Sequence, residues 1–263
     1  MAKYVRFGGR NYGDDLNDML FRDVLGIREY MGNAAELKDD VFVLGIGTIL
    51  NGYLRQGANS RLLVFGSGAG NSQEMPKNIK AELLFVRGPL TCDCLKIDKT
   101  AYITDGAYAL ADRIRELAKG TAPRYEYGLI PHHWSLEQFP NRWSASDDVQ
   151  MISPHSPCEE FIRRVAGCRK IVTECLHGAI TADILGIPFA VIQTTPMFHS
   201  FKWLDWAASL QMNLVLNYVD LDVAYSASFG RLHFANSPDT PREDAIRRTA
   251  EKLEELRGFL ALR

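Results

Sequence analysis

The chain has 263 residues, 46% of them apolar and 24% charged, with a formal net charge of −2. That length suits one large or two modest domains, and the composition is that of an ordinary globular protein. The near-neutral charge offers no basic footprint for nucleic acid, and no apolar run is long enough to cross a bilayer. The opening residues, MAKYVRFGGR, lack the apolar centre of a signal peptide, which predicts a cytoplasmic protein. Five cysteines, an odd number, fit a reduced compartment better than a disulfide frame. Cys92 and Cys94 form the one close pair and no second pair stands at zinc-like spacing, so no metal site is expected.

Residues 3–7, KYVRF, predict a first strand. GGRNYGDDLN at 8–17 follows, then an amphipathic helix with Leu16, Met19, Leu20 and Val24 on one stripe. Gly8, Gly9 and Gly13 let the backbone turn tightly and approach a ligand. Asp14 suits the helix cap, where a side-chain oxygen accepts an early N–H. One cap needs one carboxylate, so Asp15 and the adjacent Asn11 point toward a site. Short apolar runs at 41–44, 62–65, 83–86 and 101–103 alternate with helix-like stretches, which predicts a parallel sheet covered by helices on both faces. Two of these runs end in glycine-rich loops, GIGT at 45–48 and GSGAG at 66–70. Backbone N–H groups around Gly47 and Gly68 can cradle an anion there. Neither loop fits the dinucleotide fingerprint. In VRGPLT, Arg87 sits at a strand's carboxyl end and Pro89 opens a helix. The guanidinium fork matches a carboxylate or phosphate. ITDGAYAL at 103–110 is a further strand end carrying an acid, Asp105.

KGTAP at 119–123 reads as a hinge, dividing an amino-terminal domain at 1–120 from a second domain at 121–240. A second strand–helix series follows it, and PHHW at 131–134 ends the first of its strands. Extended neighbours point opposite ways, so one of His132 and His133 at most is expected to face a cleft. VTECLHG at 172–178 then leads into the small-residue helix AITADILG. His177 stands where a strand meets a helix N-terminus, the usual place for a ligand in open parallel sheets. Gly178 shares that turn. HSFKWLDWAASL at 199–210 is an amphipathic helix with Lys202 near its start, and its tryptophans read as core. A last helix at 241–263 is expected to pack back on the body.

NYGDD, VRGPLT, DGAYAL, the final LHG with its helix and FKWLDWAASL occur here in order along most of the chain. That series resembles the polysaccharide pyruvyl transferase family, nearest to its exopolysaccharide branch of the succinoglycan and xanthan kind. The resemblance implies an α/β fold of two Rossmann-like parallel-sheet halves facing a cleft, GT-B-like in arrangement. It implies transfer of pyruvate from phosphoenolpyruvate to two hydroxyls of a sugar, forming a cyclic ketal. It places Arg87 and His177 at the donor, and Asn11, Gly13 and Asp14 in the amino-terminal motif. Many members carry serine and arginine before the leucine–histidine pair. Glu174 and Cys175 stand there instead, and Lys202 is the expected substitute for the missing charge. The implied partners are phosphoenolpyruvate and a saccharide acceptor, free or lipid-linked at the inner membrane face. Cofactor, metal, nucleic acid and a transmembrane segment are not expected.

Ketal formation needs an acid for the enol methylene, a base for the hydroxyls and cations for the donor's two anionic groups. His177 is the first choice for the acid, since an imidazole titrates near ~6.5 and a phosphate beside it raises that value. Asp14 or Asp15 is the expected base. Two other readings stay open at this level: a nucleotide-sugar glycosyltransferase on the same architecture, and a silent binding protein that keeps the fold.

Overall fold

The computed structural model describes residues 2–31, 36–37, 40–51, 54–56, 58–70, 80–194, 198–219 and 229–261. Its first five-stranded sheet runs in the order β2 (Arg28–Met31), β1 (Ala2–Arg6), β4 (Val41–Leu44), β6 (Arg61–Phe65) and β7 (Ala81–Phe85). Every neighbouring pair in it is parallel. β3 (Glu36–Leu37) and β5 (Arg55–Gln56) form a small separate ribbon. VFVL and LLVF are almost wholly buried in β4 and β6. Runs apolar on both faces fit strands covered on both sides, as parallel sheets are.

The second sheet is also parallel, in the order β12 (Leu216–Tyr218), β11 (Phe189–Gln193), β10 (Cys168–Thr173), β8 (Tyr125–Ile130) and β9 (Val149–Met151). Each half thus presents the carboxyl ends of its strands along one edge. The helices that leave those edges are α1 (Tyr12–Asn17), α2 (Pro89–Leu95), α3 (Ala111–Ala118), α4 (His133–Gln138), α5 (Cys158–Ala166), α6 (Leu176–Ile184), α7 (Ser200–Ser209) and α8 (Asp239–Ala261).

Two local expectations are corrected. The run at 101–103 is not a full strand: Lys99–Ala101 is a 3₁₀ turn whose start is capped by Asp98, and Tyr102 makes a single bridge to Val86. The predicted helix after Asn11 changes period at Asp18–Val24, where it widens into a π-helix. Leu16, Met19 and Leu20 stay in the core, whereas Val24 turns out to solvent at 39% exposure. A π turn holds more residues than an α turn, so the last member of a 3.6-residue stripe rotates off it.

One continuous core joins the halves. Tyr12 stacks on Phe161 at 3.7 Å between ring centres, and its hydroxyl meets Thr181 Oγ1 at 2.7 Å. Tyr108 donates to Asp183 Oδ2 at 2.7 Å across the same seam, and Ser237 also binds that carboxylate. α8 returns from the second half to the first. It buries Ala245, Leu253 and Leu256, and Glu243 pairs with Arg115 at 2.6 Å. Among the described residues no helix is long and apolar enough to cross a membrane.

Candidate active site

The loops at the two sheet edges enclose a cavity of about 530 Å³. One wall is the amino-terminal motif from Phe7 to Asp14 with Gly47 and Thr48. The other is the loop after β8, Pro154 and His155 after β9, the Cys175–His177 turn after β10, and Lys202 of α7. Gly47 has φ +117°, a conformation that favours glycine, and this lets the backbone turn at the wall.

At the first wall the helix cap is Asn11, not Asp14. Asn11 is extended, φ −147°, and its Oδ1 accepts from Asp14 N at 3.2 Å. Its Nδ2 donates to Asp14 Oδ2. The cap therefore leaves the Asp14 carboxylate free to face the cavity. Burial pushes that carboxyl up to about 6, against the opposing pull of His177 and the Asn11 amide. Asp15 lies about 100° further around the helix and faces elsewhere. It pairs with Arg6 at 2.7 Å in a separate charged groove with Arg10, Asp18, Arg22 and Arg113. The expected pair of catalytic aspartates is thus split, and Asp14 alone reaches the cavity.

On the second wall, β10 ends at Thr173, whose hydroxyl accepts from Cys175 N at 2.8 Å and turns the chain into α6. His177 is the second residue of that helix. Its ring lies against Gly13, where a Cβ would overlap Nδ1. Gly13 thus serves the close approach of two side-chain-bearing elements. Gly178 faces the sheet instead: a Cβ there would stand 2.9 Å from Ile130 Cδ1. His177 Nε2 is 3.7 Å from Asp105 Oδ1 on its inner side.

Arg87 is also corrected. It ends the predicted strand, but its side chain is fully buried and is not on the cavity wall. Its Nε donates to Asp205 Oδ2 at 2.9 Å, Nη1 to Thr48 Oγ1 at 3.2 Å and Nη2 to Ala69 O at 2.9 Å. Gly68 belongs to this arrangement, because a Cβ there would overlap the guanidinium. Asp205 completes a knot between the halves by accepting from Leu90 N, Thr91 N and Thr91 Oγ1. Of this group only Thr48 lines the cavity.

Lys202 does reach the cavity. Its ammonium has no ion-pair partner among the described residues, and burial holds its pKa below the usual lysine range, with Arg87 adding to the effect. A half-buried cation with no direct ion-pair partner among the described residues is a ready anion site.

His132 and His133 both line the cavity, contrary to the alternation argument. The reason is local: His132 is the cap of α4 and His133 its first residue, so neither is in a strand. Their rings lie 4.2 Å apart. Burial and the nearby Lys202 hold His132 down at about 3, so it is neutral near pH 7. The two histidines also line a smaller recess of about 170 Å³ with Trp134, Phe198 and Trp203. Glu174 closes the floor of that recess. Its carboxylate accepts from His132 N at 3.3 Å and Thr194 N at 3.0 Å. Among the described residues no cluster of metal-ligating side chains occurs.

Two parallel sheets that converge on one shared cavity define a two-lobed α/β architecture. Within that class the chain belongs to the polysaccharide pyruvyl transferase family, whose model matches residues 6–196. It is 32% identical over 205 residues to the succinoglycan biosynthesis protein ExoV of Rhizobium meliloti (strain 1021), covering 76% of this chain and 61% of that protein. It is 25% identical over 143 residues to uncharacterized protein L143 of Acanthamoeba polyphaga mimivirus, covering 52% of this chain and 50% of that one. The chain spans less than two thirds of the length of either relative. A solved structure of Methanocaldococcus jannaschii UDP-GlcNAc 2-epimerase in complex with UDP-GlcNAc and UDP is similar at a TM-score of 0.49, with 10% identity and full coverage of both chains.

Proposed function

We propose that this protein transfers the pyruvyl group of phosphoenolpyruvate to two hydroxyls of a saccharide, in an exopolysaccharide or its precursor, and closes them into a cyclic ketal. The observation that carries this reading is the ammonium of Lys202, without an ion-pair partner among the described residues, set in a cavity that His177 and Asp14 also line. Family membership supplies the reaction class. Lys202, Arg10 and the loop at Gly47 and Thr48 receive the donor's phosphate and carboxylate. His177 gives a proton to the enol methylene, which leaves positive charge at the adjoining carbon. A saccharide hydroxyl attacks that carbon as Asp14 takes its proton, phosphate departs, and the second hydroxyl closes the ring and returns its proton to His177. A carboxyl raised to about 6 is a stronger base than an ordinary aspartate yet still ionised at neutral pH. The recess flanked by Trp134 and Phe198 offers flat apolar faces to the acceptor ring. The chemistry calls for no cofactor.

Phosphorus NMR tests this directly. With phosphoenolpyruvate and candidate oligosaccharides, inorganic phosphate is expected to appear only with a matched acceptor, together with a ketal methyl signal in the product. Phosphate release and ketal formation both fall by about 10²-fold or more in His177→Ala. Binding of UDP or GDP with no response to phosphoenolpyruvate would move the assignment to a nucleotide-sugar glycosyltransferase.

A further inference from the structure

Asp105 enters neither the sequence expectations for the reaction nor the cavity wall. It follows Ile103 and Thr104 at the edge of the first half and is fully buried. Its Oδ1 accepts from Ala107 N at 3.0 Å and so caps the 3₁₀ turn Gly106–Leu110. Its Oδ2 has no hydrogen-bond partner among the described residues. His177 Nε2 is likewise buried, with no hydrogen-bond partner among the described residues. Nε2 stands 3.7 Å from the near carboxylate oxygen, slightly beyond hydrogen-bond distance. Buried polar atoms are rarely left unpaired, and here the orphaned His177 Nε2 faces the buried Asp105 carboxylate across the seam between the halves, with Oδ1, the oxygen that caps Ala107 N, as the nearer atom.

We propose that Asp105 is the positioning carboxylate of His177: it holds the imidazole with the Nε2 proton turned inward, and so makes Nδ1 the nitrogen that exchanges protons with a ligand. Both sides of the contact are rigid. The Asp105 turn is fixed by Tyr108, whose hydroxyl is bound to Asp183. Gly106 within it packs 2.8 Å, at its Cβ position, from the Phe65 carbonyl. On the other side the ring packs closely against Gly13 of α1, where a Cβ would displace it. A second carboxylate, Asp14 of α1, lines the cavity together with His177 and feels its charge.

The consequence for proton transfer is specific. An imidazole whose inner nitrogen donates to a carboxylate has one tautomer when neutral, with the lone pair on the outer nitrogen. Once protonated, that outer nitrogen is the donor. The proton leaves from Nδ1 to the ligand, and Nε2 keeps its own. The use of that proton on the enol methylene rests on the proposed pyruvyl transfer, whereas the pairing itself does not.

Two readouts keep those claims apart. In the full chain labelled with ¹⁵N at histidine, His177 is expected to show the Nε2–H tautomer when neutral. Asp105→Asn preserves the size of the side chain and its cap on Ala107 N, and is expected to abolish that single-tautomer signature. In turnover, the same substitution lowers kcat by about 10²-fold with little change in KM for phosphoenolpyruvate. A wild-type His177 in the Nδ1–H tautomer overturns the proposal, even if Asp105→Asn proves unable to fold. So does an Asp105→Asn protein with the wild-type tautomer and kcat. A folded wild type with the Nε2–H tautomer but no transfer from phosphoenolpyruvate refutes the proposed function and leaves the pair standing.

Discussion

Arg87→Ala is expected to lower the unfolding free energy by about 3–5 kcal/mol. The substitution strips the countercharge from Asp205, which is fully buried and 118 residues away in sequence. The carboxylate keeps its bonds from Leu90 N, Thr91 N and Thr91 Oγ1, but an ionised group in that setting is costly without a cation. Thr48 and the Ala69 carbonyl lose their donors as well, and the volume opposite Gly68 empties. Lysine does not repair the defect, because one ammonium cannot reproduce three donors in a planar fork. Urea unfolding reads the effect as a fall in midpoint at an unchanged slope. A stable Arg87→Ala protein that loses phosphoenolpyruvate binding would contradict this picture and put the guanidinium in the cavity.

Asp14→Asn is expected to do the opposite to stability while removing activity. The Asp14 carboxyl ionises near 3.8 in an unfolded chain and is pushed up to about 6 in the fold. Its folded pKa is raised, so its favourable contribution is complete below about 4 and is lost as pH rises through about 6. Ionising it in place costs at most about 3 kcal/mol, and water in the cavity trims this to about 1–2 kcal/mol. Asparagine carries no such cost. Melting temperatures of the two proteins should therefore coincide near pH 4 and separate at pH 8, with the variant higher. Turnover in the variant drops by about 10²–10⁴-fold, the usual loss of a general base. A variant less stable than wild type at pH 8 would mean that the carboxylate is held by favourable contacts and is not strained by burial.

The sheets were legible because parallel strands buried on both faces leave runs such as VFVL and FAVIQ that need no partner to be recognised. The turn motifs were legible for a similar reason: cap, glycine and acid sit within a few residues of one another. What was not legible depended on partners distant in sequence. Arg87 carries the same local pattern whether it faces a ligand or Asp205, and its partner lies on α7 of the other half. The near contact of Asp105 with His177 is likewise formed only when the two halves meet. Other misses were local but turned on helix geometry. The π-helical stretch at Asp18–Val24 breaks a stripe that looks regular in the sequence. The start of α4 at His133 brings both histidines to one cavity where a strand would have parted them. Asp14 and Asp15 part for the plain reason that adjacent helical residues face different ways, a consequence the helix prediction already contained.

The central claim, that the shared cavity takes a doubly anionic donor on Lys202, is tested most directly by titration calorimetry with phosphoenolpyruvate on the full chain and on Lys202→Met. The account predicts saturable one-to-one binding to the wild type at pH 7, stronger than that of inorganic phosphate. It predicts about 10- to 100-fold weaker binding to the variant, the loss expected for a charge-assisted hydrogen bond. Equal affinity in the two proteins, or no heat of binding in the wild type, would contradict it.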